Sequence, residues 1–203
     1  MDIKWYGHDS IRIGNLFIDP FKISTNDKAE IILITHSHFD HCSVEDIRKL
    51  FKPDTIIVCP PDCISKLKGL EVRNLHIVRP GDSLVLPSYK VDIVAAYNKN
   101  KDFHPKQNEW VGYIVTFNDV KYYHAGDTDV IPEMSNVKCD YAFLPVSGVY
   151  TMTAVEAVKA VEMIKPKVAI PIHYGSLVGK EENALEFKEL ASKYCQVIIL
   201  NRE

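Results

Sequence analysis

The sequence of 203 residues lacks several features that mark common classes of protein. No window reaches the roughly 18 consecutive apolar residues that a membrane-spanning helix needs, and residues 1–8 contain no apolar core of a signal peptide. Lysine plus arginine (24) nearly balance aspartate plus glutamate (27), so no strong field of one sign favours nucleic acid or an anionic membrane. We therefore expect a cytoplasmic protein with a small-molecule substrate and neither a membrane nor a nucleic-acid partner.

Several motifs of common enzyme and metal sites are also absent. Neither a Gly-x-Ser-x-Gly elbow nor a phosphate-binding P-loop occurs, which argues against a serine hydrolase and a nucleoside triphosphatase. The five cysteines are scattered and odd in number, which predicts reduced thiols rather than a disulfide framework. Cys59 and Cys63 have a spacing loosely compatible with zinc, but no second pair of ligands follows at zinc-finger distance. We predict no metal role for them.

The organisation of the chain indicates an α/β fold. Apolar residues make up 46% of the sequence and no Gly/Ser-rich linker or repeat marks a boundary, so we predict a single domain spanning residues 1–203. Strands are predicted at residues 3–6, 10–13 and 15–18, as an antiparallel meander, and at 31–34, 55–58, 75–78, 83–86, 90–96, 111–117, 121–124, 141–144, 167–170 and 196–200. Helices are predicted from a Ser43 cap to about Phe51, over 62–68, from a Thr153 cap to about Ile164, and over 183–192. Alternation of strands and helices is typical of layered α/β proteins.

The segment that follows the apolar run 31–34 carries the strongest signal in the sequence. His36-Ser37-His38-Phe39-Asp40-His41 places three imidazoles and a carboxylate directly after a predicted buried strand, where layered α/β folds carry their ligand loops. His36 and His38, two apart in an extended loop, can point towards one ion, while Asp40 and His41 turn towards a second. We therefore predict two adjacent metal ions.

One loop cannot complete two metal sites, so polar residues at other strand ends are further candidates. These candidates are His104, His124, Asp127, Asp129 and His173. His173 lies at a strand-to-loop junction, and Asp127 follows a glycine that lets the backbone approach an ion closely. His104 and His124 are alternatives as a ligand, and His124 is otherwise a candidate to donate a proton or a hydrogen bond.

The motif His36-Ser37-His38-Phe39-Asp40-His41 resembles the signature of the metallo-β-lactamase superfamily, and the later candidates follow in that family's order. Further segments are similar to the branch of small metal-dependent hydrolases related to L-ascorbate-6-phosphate lactonase: Gly7-His8-Asp9-Ser10, Ile18-Asp19-Pro20, Tyr123-His124-Ala125-Gly126-Asp127-Thr128 and His173-Tyr174. The resemblance spans nearly the whole chain. It implies an αββα four-layer sandwich.

The resemblance also implies a set of metal ligands. They are His36, His38 and His104 on one metal ion, Asp40, His41 and His173 on the other, and Asp127 bridging both. His104 is thereby favoured over His124. Asp19 would orient the histidine loop and His8 would lie near the site, neither of them as a ligand. Cys42 stands where the family has a small or aliphatic residue, and we expect it to be buried and inert.

Two neighbouring divalent ions would lower the pKa of a shared water and polarise the bond under attack. We therefore predict a hydrolase that acts on an ester, lactone or phosphodiester, with zinc as the expected metal and manganese or iron as alternatives. Asp40 or Asp127 would take up the proton of the attacking water, and His124 is the third catalytic candidate. Three lysines around His104 indicate an anionic substrate, with an exposed, solvated loop as the alternative: Lys99, Lys101 and Lys106.

Two other classes of function are compatible with the same ligands. Flavodiiron proteins and persulfide dioxygenases use this fold with iron, so an iron-dependent oxidoreductase is an alternative, although the chain lacks a flavodoxin-like domain. A non-catalytic metal-binding module is another. The completeness of the ligand set favours chemistry over binding alone.

Overall fold

The computed structural model describes residues 3–203, which form two units. The first unit consists of the chain up to Val78 together with Leu200–Glu203, and the second is Arg79–Ile199. Each unit contains one mixed β-sheet and helices, in line with the predicted α/β class. The prediction of a single domain over residues 1–203 stays a prediction.

The first unit contains a six-stranded sheet whose spatial order follows the chain. Its strands are β1 (Ile3–Trp5), β2 (Ile11–Ile13), β3 (Leu16–Ile18), β4 (Ile31–Leu33), β5 (Ile56–Cys59) and β6 (Asn74–Ile77). The first three strands pair antiparallel, which confirms the predicted meander, and the pairs from β3 to β6 are parallel.

Two helices belong to the first unit, α1 (Val44–Leu50) and α2 (Ile64–Leu67), the second preceded by a 3-10 turn at Pro61–Cys63. The predicted cap of α1 is present, because the Ser43 side chain accepts a hydrogen bond from the backbone N–H of Asp46. Four buried residues join α1 to the sheet in one hydrophobic cluster: Ile47 and Leu50 from the helix, Ile32 and Ile57 from the strands. Burying each such side chain contributes about 1.5–3 kcal/mol, so the cluster fixes α1 and the loop before it.

The second unit contains a seven-stranded sheet with the order β13-β12-β11-β10-β9-β8-β7. Its strands are β7 (Ser83–Leu86), β8 (Tyr89–Ala95), β9 (Val111–Phe117), β10 (Val120–His124), β11 (Tyr141–Pro145), β12 (Val168–Ile172) and β13 (Gln196–Val197). Strands β7 to β10 pair antiparallel, and the pairs from β10 to β13 are parallel. The last strand is shorter than the predicted 196–200.

Helices α3 (Ala154–Ile164) and α4 (Glu181–Ala191) belong to the second unit, with 3-10 turns at Lys106–Asn108 and Pro132–Asn136. The predicted capping box of α3 is confirmed, since Thr153 and Glu156 exchange hydrogen bonds between side chain and backbone. Helix α4 begins two residues before its predicted start. None of the helices within residues 3–203 has the length and apolar character needed to cross a membrane.

The parallel strands decide where polar loops meet within each unit. Parallel neighbours end at the same edge of a sheet, and ligands bind beyond the carboxyl ends of such strands. In the first unit β3 and β4 end side by side, with Ile18 opposite Leu33. In the second unit β10, β11 and β12 do the same, with His124 opposite Phe143 and Pro145 opposite Ile172. Each unit therefore gathers several chain segments at one edge.

Candidate metal clusters in each unit

The first unit brings together four histidines and three aspartates, which we call the first cluster: His8, Asp9, Asp19, His36, His38, Asp40 and His41. The loop that follows β4 supplies the four motif residues, and the turns around β2 and β3 supply the other three. All but His38 and Asp40 are buried. The predicted motif therefore lies in a group of seven titratable side chains, five of which are buried.

Asp19 orients the loop of the first cluster, as the resemblance implied. Its fully buried carboxylate accepts hydrogen bonds from the Thr35 backbone N–H at 2.7 Å and the Thr35 hydroxyl at 2.5 Å. The same carboxylate lies 2.8 Å from Nδ1 of His41. Since a carboxylate only accepts, His41 donates from Nδ1, and its neutral ring then carries the lone pair at Nε2. This is the tautomer in which an imidazole binds a metal through Nε2.

His36 and His38 face each other, with Nε2 of His36 3.0 Å from Nδ1 of His38. The Thr35 hydroxyl lies 2.9 Å from Nδ1 of His36 and thereby fixes the other side of that ring. The expectation that these two histidines point towards one ion stays a prediction. One ligand atom from each of Asp19, His36 and His41 also lies within 4.8 Å of the others.

Asp9 is a member of the first cluster that the sequence reasoning did not single out. It is fully buried, and its Oδ2 lies 3.7 Å from Nε2 of His8 and 3.9 Å from Nε2 of His41. Asp40 approaches the same two nitrogens, at 3.0 Å and 3.8 Å. The signal in the sequence was the Gly7-His8-Asp9-Ser10 segment, where left-handed φ angles of 101° at Gly7 and 52° at His8 make a tight turn.

The donor set of the first cluster fits a divalent metal ion. Imidazole nitrogens and carboxylate oxygens are the usual zinc ligands, and they also suit manganese and iron. Several buried carboxylates placed together are costly unless a positive charge compensates them. Protonated histidines or a bound cation would supply that charge, and a cation does so with the rings neutral and their nitrogens directed at it.

The second unit brings together His104, Asp127 and His173, which we call the second cluster. Asp127 Oδ2 lies 3.1 Å from Nε2 of His104 and 3.2 Å from Nε2 of His173. Each of these three side chains is at most 4% exposed. They come from the 97–110 loop, from the turn after β10 and from the residue after β12. Two imidazoles and one carboxylate thus converge at the strand edge, a donor set that also fits zinc.

Two neutral residues hold the imidazoles of the second cluster. Asn98 Oδ1 accepts from the His104 backbone N–H at 3.0 Å and lies 2.9 Å from Nδ1 of the same ring. Ser147 Oγ lies 2.9 Å from Nδ1 of His173 and 3.0 Å from Thr151 Oγ1. Gly179 allows this packing, because a Cβ there would lie 2.9 Å from the Ser147 Cβ. The sequence reasoning missed Asn98 and Ser147, whose contacts with the two imidazoles span 6 and 26 residues of chain.

The structure places the remaining candidates beside the second cluster rather than among its three converging atoms. His124 is fully buried at the end of β10, where its Nδ1 accepts from the Gly126 backbone N–H at 3.2 Å. Asp129 accepts from the Lys99 backbone N–H at 2.9 Å and pairs with the Lys101 ammonium. His124 therefore shapes the turn that carries Asp127, and Asp129 anchors the 97–110 loop.

Three of the cysteines have apolar rather than polar surroundings. Cys42, Cys59 and Cys63 are buried in the apolar cluster of the first unit, so the expected burial of Cys42 is confirmed. Contacts with Cys42 and Cys59, together with burial, raise the pKa of Cys63. Its thiol is therefore protonated at neutral pH.

Comparison with known proteins identifies the family of the chain. The family model described as "Beta-lactamase superfamily domain" matches residues 9–174. A UPF0173 metal-dependent hydrolase of Nanoarchaeum equitans is 31% identical, over 100% of this chain and 98% of the relative. A crystal structure from Parabacteroides distasonis, titled as a candidate metal-dependent hydrolase, has a TM-score of 0.86 at 33% identity and covers 99% of this chain and 93% of its own.

A third comparison concerns the fold alone. A protein of the metallo-β-lactamase superfamily from Thermotoga maritima has a TM-score of 0.65 at 18% identity and covers 98% of this chain and 97% of its own. The predicted α/β fold of the metallo-β-lactamase type is thereby confirmed, as is the resemblance to the superfamily. The chain belongs to the β-lactamase superfamily, in the group whose relatives are named metal-dependent hydrolases.

Proposed function

We propose that the protein is a hydrolase that uses two divalent metal ions to activate water against an ester, lactone or phosphodiester bond. The observation that carries the proposal is the convergence of two imidazole Nε2 atoms on one oxygen of Asp127, at 3.1 and 3.2 Å. Each of these rings is held at its other nitrogen, by Asn98 or Ser147. Rings fixed in this way are typical of metal ligands. Membership in the superfamily supports the same interpretation.

The proposed ligands come from both clusters. They are His36, His38, Asp40 and His41 of the first cluster and His104, Asp127 and His173 of the second. We propose zinc as the metal, because mixed imidazole and carboxylate ligands are typical of catalytic zinc, while manganese and iron accept the same donors. His8 and Asp9 would lie next to the ligand atoms and complete the polar lining of the first cluster.

When bound, the two ions would act as Lewis acids that polarise the bond under attack and lower the pKa of water. The residues of the chain have separate tasks. Asp19, Asn98 and Ser147 each fix an imidazole by its Nδ1. An oxygen of Asp40 or Asp127 would accept the proton of the attacking water, since Asp40 lies 3.8 Å from Nε2 of His41 and Asp127 lies 3.1 Å from Nε2 of His104.

His124 has a positioning role in this proposal. Its Nδ1 accepts the backbone N–H of Gly126, directly before Asp127, and the ring is fully buried. This hydrogen bond fixes the turn that carries Asp127, so in this proposal His124 positions that carboxylate and is not assigned a proton transfer.

The test is metal analysis of the protein purified without added metal, together with hydrolysis assays on lactones, carboxylic esters and phosphodiesters. We expect about two zinc or manganese ions per chain and turnover of at least one of these classes. Asp127→Ala should lose at least half of the metal and reduce kcat/KM by about 1,000-fold or more, because metal ions supply several kcal/mol of transition-state stabilisation. Ser135→Ala, an exposed site in the same unit, is the control.

Two results would contradict the proposal. Protein without bound metal and without turnover, even after metal is added, would mean that the clusters serve another purpose. An iron absorption band with oxygen uptake would instead support the oxidoreductase alternative.

A further inference from the structure

Two loops near the residues of the second cluster, the 97–110 loop and the loop after β11, expose apolar side chains. Phe103, which directly precedes His104, is 52% exposed, and Val149 in the loop after β11 is 51% exposed. The rings of Phe103 and Tyr150 lie edge to face with centroids 4.5 Å apart. Grouped apolar side chains on a protein surface mark binding sites more often than isolated ones.

The position of this aromatic pair is fixed relative to the second cluster. Asn98 holds His104 through its Oδ1 and, through its Nδ2, donates to the Tyr150 carbonyl at 3.0 Å. The next residue, Thr151, is hydrogen-bonded to Ser147, which contacts His173. The same residues that orient the two imidazoles thus also hold the Tyr150 loop. An exposed surface so placed is preorganised rather than adaptable.

Two of the three lysines of the same loop are compensated by carboxylates. Lys101 pairs with Asp129, and Lys106 pairs with Glu133 at 3.0 Å while it stacks over the Tyr97 ring at 4.5 Å. Their charges are therefore compensated by carboxylates, which weakens the case for an anionic substrate. The loop therefore presents the exposed Phe103 ring together with one exposed lysine, Lys99.

The ligand loop of the first unit has a comparable feature of its own. Phe39 lies between His38 and Asp40 in the sequence and is 65% exposed. An exposed phenylalanine lacks the roughly 1.5–3 kcal/mol of stabilisation that burial of its side chain would give. We therefore expect the exposed rings beside His38 and His104 to contact a bound molecule.

We propose that Phe103 and Tyr150 bind the apolar part of the substrate, and that the substrate is a neutral ester or lactone with an aryl or branched alkyl group beside the scissile bond. This inference rests on the proposed hydrolase function. Contact with the exposed Phe103 ring and the half-buried Tyr150 ring removes apolar surface of both partners from water and adds ring–ring attraction. The rings bind and orient the substrate, and they take no part in proton transfer.

The experiment compares paired substrates on the zinc-loaded protein: methyl phenylacetate with methyl acetate, and γ-phenyl-γ-butyrolactone with γ-butyrolactone. For the aryl members, Phe103→Ala and Tyr150→Ala should each raise KM about 5- to 10-fold while kcat changes less than about twofold. KM for the small members should stay within about twofold. Phe103→Tyr should restore the wild-type KM, since it keeps the ring.

Tyr194→Ala is the matched control, because Tyr194 is 47% exposed in the turn after α4 and plays no part in the proposal. Equal KM changes for the aryl and small substrates would overturn the proposal. So would an unchanged KM accompanied by a shift from dimer to monomer in light scattering, because the rings would then form a subunit contact.

A binding measurement separates this inference from the hydrolase proposal. If the wild type hydrolyses none of the four substrates, saturation-transfer NMR with phenylacetate and acetate still tests the aromatic surface. We expect aryl proton signals that fall by at least half in Phe103→Ala and persist in Tyr194→Ala. Equal signals in all three proteins would show that the rings bind no apolar ligand.

Discussion

The two clusters reach similar local geometry by different routes along the chain. The first takes four of its residues from the single loop after β4, whereas the second takes one residue from each of three segments. In both, an oxygen contacts Nδ1 of an imidazole whose Nε2 lies close to a carboxylate. The shared element is thus the fixed orientation of the imidazole rather than a sequence pattern.

The clusters differ in the charge of the residues that hold the rings. The carboxylate of Asp19 supports His41 in the first, whereas the amide of Asn98 and the hydroxyl of Ser147 do so in the second. A charged acceptor makes stronger hydrogen bonds and increases the basicity of the ring more than a neutral one. The first cluster should therefore be costlier to disturb than the second.

The largest effect is expected for Asp19→Asn, which removes the charge of the carboxylate that holds the His41 ring. The amide can accept from only one oxygen, while the wild-type carboxylate serves two groups of Thr35 and the His41 ring. We expect the free energy of unfolding to fall by about 3 kcal/mol, because hydrogen bonds to a buried charge are lost. Urea unfolding monitored by circular dichroism measures this. Asp54→Asn, at an exposed site, should change stability by less than about 0.5 kcal/mol; a similar loss in both variants would remove the proposed distinction.

A smaller effect is expected for substitution of Asn98 and Ser147, the neutral residues that hold the imidazoles of the second cluster. Asn98→Ala and Ser147→Ala should each lower zinc affinity or kcat/KM about 10- to 100-fold, as loss of a partner to a ligating histidine does. Asn98→Ala should have the greater effect, since Asn98 holds His104 at two atoms and also the Tyr150 loop. Chelator competition and steady-state kinetics measure these changes.

The matched controls for this prediction are Asn136→Ala and Ser135→Ala, both exposed and in the same unit. If the cluster variants behave like these controls, ring orientation in the second cluster does not depend on its neutral partners. Asn98→Asp keeps the acceptor for His104 and should retain more zinc affinity than Asn98→Ala.

The smallest effect is expected for substitutions in the first turn of α1 and at the N-cap of α3. Burial raises the pKa of Asp46, but hydrogen bonds from Ser43, Lys49 and the Lys22 backbone outweigh it, and the pKa lies below its usual value. Asp46→Asn should cost about 1–2 kcal/mol at pH 7, compared with about 1 kcal/mol for Thr153→Ala at the start of α3.

The pH dependence of Asp46→Asn has a defined sign. Because the folded pKa is depressed, the stabilisation by Asp46 is complete above the unfolded value of about 3.9 and is lost as the pH falls through the folded pKa. The stability difference between wild type and variant should therefore shrink below about pH 4. Urea midpoints measured from pH 3 to 7 check this. A difference that is constant over the whole range would mean that Asp46 is not ionised in the folded protein.

Much of the fold could be predicted from the sequence because its signals are local. The run Ile31–Leu33, the Ser43 cap and the Thr153–Glu156 capping box each involve residues within a few positions of one another. Where local signals were weak, the boundaries shifted: β13 is shorter than predicted and α4 begins earlier. The short turn at Pro132–Asn136 was not predicted at all.

The candidate site was less completely predictable, since several of its residues carry no local signal. Asp9 looks like an ordinary turn aspartate until the structure places it 3.9 Å from His41 Nε2, across 32 positions of sequence. Asn98 and Ser147 are unremarkable polar residues in loops, and Asn98 bonds to a carbonyl 52 residues away. The anionic substrate that Lys99, Lys101 and Lys106 indicated stays a prediction, and two of these lysines, Lys101 and Lys106, pair with carboxylates.

The sequence by itself determined the first motif, the strand that precedes it and the order of the later candidates, because spacing along a loop and periodicity along a strand are local properties. Only the tertiary structure decided which oxygen holds each imidazole and which histidine approaches Asp127. Those contacts depend on the register of parallel strands and on left-handed backbone angles at Asp19 (44°) and His173 (59°). Non-glycine residues adopt such angles only where surrounding packing and hydrogen bonds stabilise the strained backbone. Local sequence patterns therefore do not predict these angles.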